Sequence, residues 1–80
     1  MAAMKAKMVV TQIKRMEHGE ELCMAPVCKT GGYGEDGLDE NNTFAKFSPS
    51  GQLTLTVANP ALFGQFNPGE KYYLDFSKAE

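Results

Sequence analysis

The chain predicts a mainly β fold: a small, single-domain antiparallel β-barrel, OB-like or SH3-like. Three observations predict it. Gln52 to Ala58 alternates apolar and polar residues, with Leu53, Leu55 and Val57 on one side. A second alternating run closes the chain, with Tyr72, Leu74 and Phe76 opposed to Tyr73, Asp75 and Ser77. Between them lie Asn59-Pro60 and Asn67-Pro68-Gly69, which carry helix-start and turn chemistry. A chain of 80 residues makes one domain, 1–80. A sheet this small reduces its exposed edges by curling, which favours a barrel over a two-layer sandwich, the second choice.

Taken in order, Lys5 to Met16 alternates as a strand with Ala6, Met8 and Val10 on one face. Ile13 breaks that alternation, and a bulge near Thr11-Gln12 reconciles the two halves. Glu17-His18-Gly19-Glu20 has the size and glycine of a hairpin loop, so Glu21 to Lys29 returns antiparallel. Pro26 lacks a ladder donor, which makes this second strand an edge or bends it. The stretch from about 30 to 43, with Gly31, Gly32, Gly34 and Gly37 among acids and asparagines, reads as a mobile surface loop. Phe44 to Phe47 resumes an extended path, and Ser48-Pro49-Ser50-Gly51 turns into the next strand. Asn59 caps and Pro60 starts a short helix over Ala61 to Phe66, whose Leu62, Phe63 and Phe66 plug one end of the barrel. The count is about five strands and one short helix before the last of them.

Composition excludes several classes. Mean hydropathy is -0.34 and 42% of residues are hydrophobic, the balance of an ordinary water-soluble domain. No apolar run approaches the roughly 18 residues of a membrane span. Lysines near the start are followed by no apolar run, so no secretory leader is read and the expected compartment is cytoplasm. The net charge is -2 and unevenly laid out. Lys5, Lys7, Lys14 and Arg15 precede every acid, and Glu17 to Glu40 is then acidic but for Lys29. A duplex-DNA binder carries a basic excess that this chain lacks.

Candidate chemistry is sparse. Gly32-Tyr33-Gly34-Glu35-Asp36-Gly37 matches the spacing of a dinucleotide fingerprint, but its own carboxylates repel phosphate and no strand-to-helix context surrounds it. Asp36, Asp39, Glu40 and Asn41 are oxygen donors without the ligand order of a calcium loop. Cys23, Cys28 and His18 fall short of a structural zinc set, so neither metal nor cofactor is expected, and the thiols are read as reduced apolar side chains. No nucleophile has a base beside it, which argues against an enzyme. The aromatics Phe47, Tyr72 and Tyr73 with Lys46 and Lys71 match the kit of a single-strand binder, in which rings stack bases and lysines follow phosphates.

Met4-Lys5-Ala6-Lys7, Phe44-Ala45-Lys46-Phe47-Ser48-Pro49-Ser50-Gly51-Gln52-Leu53, Asn59-Pro60-Ala61-Leu62-Phe63 and the ending Phe66-Asn67-Pro68-Gly69-Glu70-Lys71-Tyr72-Tyr73-Leu74-Asp75-Phe76-Ser77-Lys78-Ala79 resemble a family of short proteins encoded by tailed bacteriophages. The resemblance covers about half the chain and implies a phage origin without implying an activity. It makes host cytoplasm or the virion the expected location. Together with the small core, the uneven charge, the absence of a reactive constellation and an edge strand around Pro26 that could template a partner strand, it leads to the expectation of a non-enzymatic accessory protein that docks on a virion subunit or host protein. The contact residues then expected are Tyr33, Glu35, Asp36, Asp39 and Glu40. A homo-oligomer is a further expected supplement to a core of this size. The alternatives are an OB-like binder of single-stranded nucleic acid or a nucleotide signal, and an inhibitor of a host anti-phage defence complex whose acidic loop imitates phosphate.

Overall fold

A computed structural model describes residues 4–79. Four strands form one antiparallel sheet: β1 (Met4–Met16), β2 (Gly19–Pro26), β3 (Leu53–Val57) and β4 (Lys71–Phe76), in the order β3-β2-β1-β4. The sheet curls into a half-barrel whose two edges, β3 and β4, stay apart. The fifth expected strand is absent. Phe44 to Phe47 forms turns and bends, and Phe47 has φ 61°, a left-handed conformation no strand can contain. The position of β2 is also corrected: it lies inside the sheet between β1 and β3, with Pro26 as its last residue, where a missing donor ends the ladder.

The register explains the core. Met8 opposes Tyr72 of β4, Val10 opposes Met24, and Leu22 opposes Leu55 of β3, so the alternating apolar residues of all four strands share one inner face. The β1–β2 register shifts between Val10 and Gln12, which brings Ile13 back to that face opposite Leu22. Ala6, Met8, Val10, Leu22 and Met24 are buried, and Leu53, Val57, Phe66, Tyr72 and Leu74 pack against them. A two-residue loop, Glu17-His18, joins β1 to β2. Gly19 follows it, where a Cβ would sit 3.0 Å from the Val57 carbonyl oxygen, so a larger residue there would need β3 to give by a few tenths of an ångström.

Residues 58–70 carry the chain from the β3 edge to the β4 edge. Asn59 caps the start, its Oδ1 accepting from the Ala61 N–H at 3.1 Å, but the helix is a single 3₁₀ turn, Pro60–Leu62. The longer helix expected to Phe66 is cut off because Phe63 is already extended and Gly64 turns with φ 79°. The Gly64 N–H donates to Glu20 Oε1 at 2.9 Å, which lays the segment over the hairpin end of the inner face. Arg15 Nε pairs with the other oxygen of this buried carboxylate at 3.1 Å. Of the three expected plug residues only Phe66 packs on the core, its ring 5.5 Å from that of Tyr72; Leu62 and Phe63 stay exposed. The closing turn is held by Glu70, whose Oε1 accepts from the Asn67 N–H at 2.8 Å and the Tyr72 hydroxyl at 3.0 Å. Those bonds, the Asn67 one foremost, hold the Glu70 carboxyl below its ordinary pKa, and the same contact raises the Tyr72 hydroxyl.

The molecule is thin. Its extents are 47 × 34 × 16 Å, and its radius of gyration is 14.5 Å, where about 12 Å is usual for a compact chain of this length. Its accessible surface of 5912 Å² is about 1,100 Å² more than a folded monomer of 8.8 kDa normally shows.

Candidate docking site

The long connection between β2 and β3, residues 27–52, is built on a polar network. After Pro26 the Val27 N–H still donates to Lys7 O at 2.9 Å, and then the chain leaves the sheet. This strands the backbone groups of Lys5 and Lys7 on the side that β2 has vacated. Asn42 and Thr43 supply their partners: Asn42 Oδ1 accepts from the Lys7 N–H at 3.0 Å, Thr43 Oγ1 accepts from the Lys5 N–H at 2.7 Å, and the Thr43 N–H donates to Lys5 O at 3.0 Å. Two loop residues thus stand in for a missing strand.

Asn42 is fully buried, 0% exposed, and its Nδ2 donates to Val27 O at 2.9 Å and to Asp39 Oδ2 at 3.3 Å. Asp39 is buried as well, and its Oδ1 accepts from the Asn41 N–H at 2.8 Å. Burial pushes the Asp39 carboxyl up, but the bonds from Asn41 and Asn42 and the nearby Lys29 charge outweigh it, so its pKa lies below the ordinary 3.8. Asp39 therefore holds the loop from within.

A second clasp orders the outer half. The Phe47 ring covers Gly37, where a Cβ would lie 2.7 Å from two ring carbons, and the Phe47 N–H donates to Gly37 O. Gly37 itself has φ 69°, so glycine is required there twice over. Tyr33 meets Phe47 edge-on with ring centroids 6.3 Å apart, and its hydroxyl accepts from the Lys29 N–H at 3.2 Å. Asp36 closes a local turn by accepting from the Leu38 N–H at 3.1 Å.

These two clasps leave a platform. Leu38 is 58% exposed, and it borders a depression of about 520 Å³ lined also by Lys29, Asp36, Glu40 and Ala45. Asp36 and Glu40 are exposed at its border, Glu35 is exposed next to Asp36 in the chain, and Phe44 and Phe47 show part of their rings. An apolar knob bordered by carboxylates suits a partner that offers an apolar pocket flanked by basic groups. Of the five expected contact residues, Glu35, Asp36 and Glu40 are presented to solvent, Tyr33 is half-buried in the clasp, and Asp39 is internal.

The five residues of the single-strand kit are split up. Tyr72 faces inward against Phe66, Phe47 sits over Gly37, and Lys46 is exposed on the loop. Only Lys71 and Tyr73 share the outer face, where Lys5 Nζ and Lys7 Nζ lie 5.2 and 5.8 Å from the Tyr73 ring centroid. Lys7 and Lys71 also border a cleft of about 260 Å³ with Lys29, Glu40 and Asn41, which seats the loop beside the outer face. Sequence reasoning missed Asn42, Leu38 and the Lys5–Lys7 pair. The lysine pair had a usable signal, since alternation puts it opposite Ala6 and Met8, and the Asp39-to-Asn42 spacing suits a turn with mutually bonded side chains.

Cys23 and Cys28 are both free thiols, the first half-buried and the second exposed. Among the described residues no three His, Cys, Asp or Glu side chains come together as a metal site. No helix among them is long and apolar enough to cross a membrane. Comparison with protein families, with curated proteins and with solved structures finds none that matches this chain.

Proposed function

We propose that this chain is a non-enzymatic accessory protein of phage origin that acts by docking on another protein, a virion subunit or host factor, through the platform of residues 33–47. The observation that carries the reading is the exposed Leu38 beside its depression, bordered by Asp36 and Glu40 and braced by the buried Asp39–Asn42 pair, with exposed Glu35 adjoining Asp36 in the chain. A partly apolar loop tied by internal hydrogen bonds to a β scaffold has less freedom to lose on binding than an untethered one, which is the common design of recognition loops. The phage origin rests on the sequence resemblance, and host cytoplasm or virion is the location that follows from it.

The partner has an apolar anchor site with lysines or arginines around it. Affinity capture from infected cells, set beside mass spectrometry of purified virions, tests this. A protein recovered with the parent chain and lost with Leu38→Asp or with Glu35→Lys/Glu40→Lys supports the reading; recovery of no protein from either source, or equal recovery by the variants, refutes it. Inhibition of a host defence complex would use this same acidic rim.

A second reading, a binder of single-stranded nucleic acid or a nucleotide signal, is favoured by one contact set: Tyr73 beneath the ammonium groups of Lys5 and Lys7, with Lys71 two residues away on the same face. Salt-dependent binding of a labelled oligonucleotide that weakens in Tyr73→Ala is its expected signature, and no binding at low salt ends it.

A further inference from the structure

We infer that the open rim of the sheet's inner face, at Met4, Leu55 and Phe76, is covered by a second copy of this chain. A sheet with one apolar face must bury it against another layer, and stacked sheets lie about 10 Å apart. Here the second layer is only a strap, residues 58–70, laid over the hairpin end by the Gly64–Glu20 bond and by Phe66. The curl of the sheet buries Ala6, Met8 and Val10 along the middle of the face, but its rim stays open. Phe76 pairs across the ladder with Met4 on the core face, and they are 51% and 46% exposed. Leu55 pairs with buried Leu22 on that face and is itself 50% exposed.

The area fits a symmetric pair. The chain as a whole shows about 1,100 Å² more surface than a compact monomer, and a symmetric pair that hid this excess would bury about 2,200 Å², which lies where standard interfaces pass into obligate homodimers. Both copies carry the same deficit, so a two-fold arrangement settles both at once. Charge permits it too. On the inner face of the strands the ionised groups are Glu20 and Arg15, which already pair with each other at 3.1 Å, so two copies can meet without like-charge repulsion. This surface is distinct from the docking platform, and the inference stands or falls without that reading. The dimer would keep its loops beside the outer faces, where Lys7 and Lys71 border Lys29 and Asn41.

Sedimentation of the full chain over about a hundredfold range of concentration reads the mass directly. The parent chain and Leu38→Asp are expected to run as two-chain species, while Phe76→Asp and Leu55→Asp dissociate at least about a hundredfold more readily, because each puts a carboxylate into the apolar seam. Both substituted residues are half exposed in the single chain, so the variants keep the fold, which circular dichroism verifies. A mixed sample of labelled and unlabelled chains supplies an independent readout: isotope-filtered contacts are expected between Met4 or Phe76 of one copy and inner-face residues of the other. A one-chain mass for the parent at every concentration overturns the inference, as does a two-chain mass that both aspartate variants leave intact, or a mixed sample lacking those contacts.

Discussion

The β1–β2 hairpin and the 27–52 connection are ordered by opposite means. The hairpin and its neighbours are held by apolar side chains that share one face, with Ala6, Met8, Val10, Leu22 and Met24 as the buried set. The connection contributes no member to that set. It is held by hydrogen bonds that radiate from Asn42 and by a ring lying on a glycine. Apolar order is cumulative and tolerant of swaps of similar volume, whereas a buried polar network depends on each member being satisfied. Substitutions in the two regions should therefore fail differently, globally in the first and locally in the second.

The largest effect belongs to the sheet. Leu22→Ala should cost about 2–5 kcal/mol in denaturant unfolding, enough to unfold most of a chain whose own core supplies about that much. A loss confined to the loop amides in hydrogen exchange would break the contrast. Asn42→Ala comes next, at about 2–3 kcal/mol, because it orphans the Lys7 N–H and the Val27 carbonyl together. Exchange should accelerate at Lys5, Lys7 and Thr43 while the β2–β3 ladder keeps its protection; uniform acceleration would show one cooperative unit instead.

Gly37→Ala should cost about 1–3 kcal/mol, part left-handed strain and part collision with Phe47. Adding Phe47→Ala should return the collision part and leave the strain, and a double-mutant cycle without coupling would remove this clasp from the account. Acid should act through Asp39. Its folded-state pKa lies below the ordinary 3.8, so the stability it contributes is complete above 3.8 and is lost as pH falls through the folded value. Asp39→Asn should flatten stability against pH below about 4. An unchanged acid limb would assign that limb to other carboxylates. Smallest of all, Leu38→Asp should shift stability by no more than about 0.5 kcal/mol, since the side chain is mostly in solvent, while abolishing partner capture.

What could be read from the chain divides along the same line. Alternation located β1, β3, β4 and the bulge before Ile13, the hairpin loop placed β2 to within a few residues, and capping chemistry gave the turn at Asn59-Pro60, because all of those signals are local. Phe44 to Phe47 looked like a strand for equally good local reasons. Its backbone is instead set by Gly37, ten residues away, and no periodicity carries that information. Asn42 looked like solvated loop filler until the early end of β2 gave it backbone groups to satisfy. The placement of Pro26 inside the sheet escaped for a related reason: it depends on where β3 lands, which is a long-range pairing. Of the expected site, the exposed acids were legible from composition, whereas the internal role of Asp39 and the prominence of Leu38 depend on the tertiary frame.

Strand β1 borders β2, β4 and the Asn42–Thr43 segment, yet its pairing with β4 joins residues as far apart in the chain as Met4 and Phe76. During synthesis on the ribosome, β1 emerges before β4, and one flank stays without a neighbour until the residues between them and β4 itself have appeared. Its lysines at positions 5 and 7 put charge along that waiting edge, a known deterrent to adventitious strand addition. Replacing both with threonine would leave the finished fold intact while lowering soluble yield from nascent chains, an effect that co-expressed chaperones should reverse.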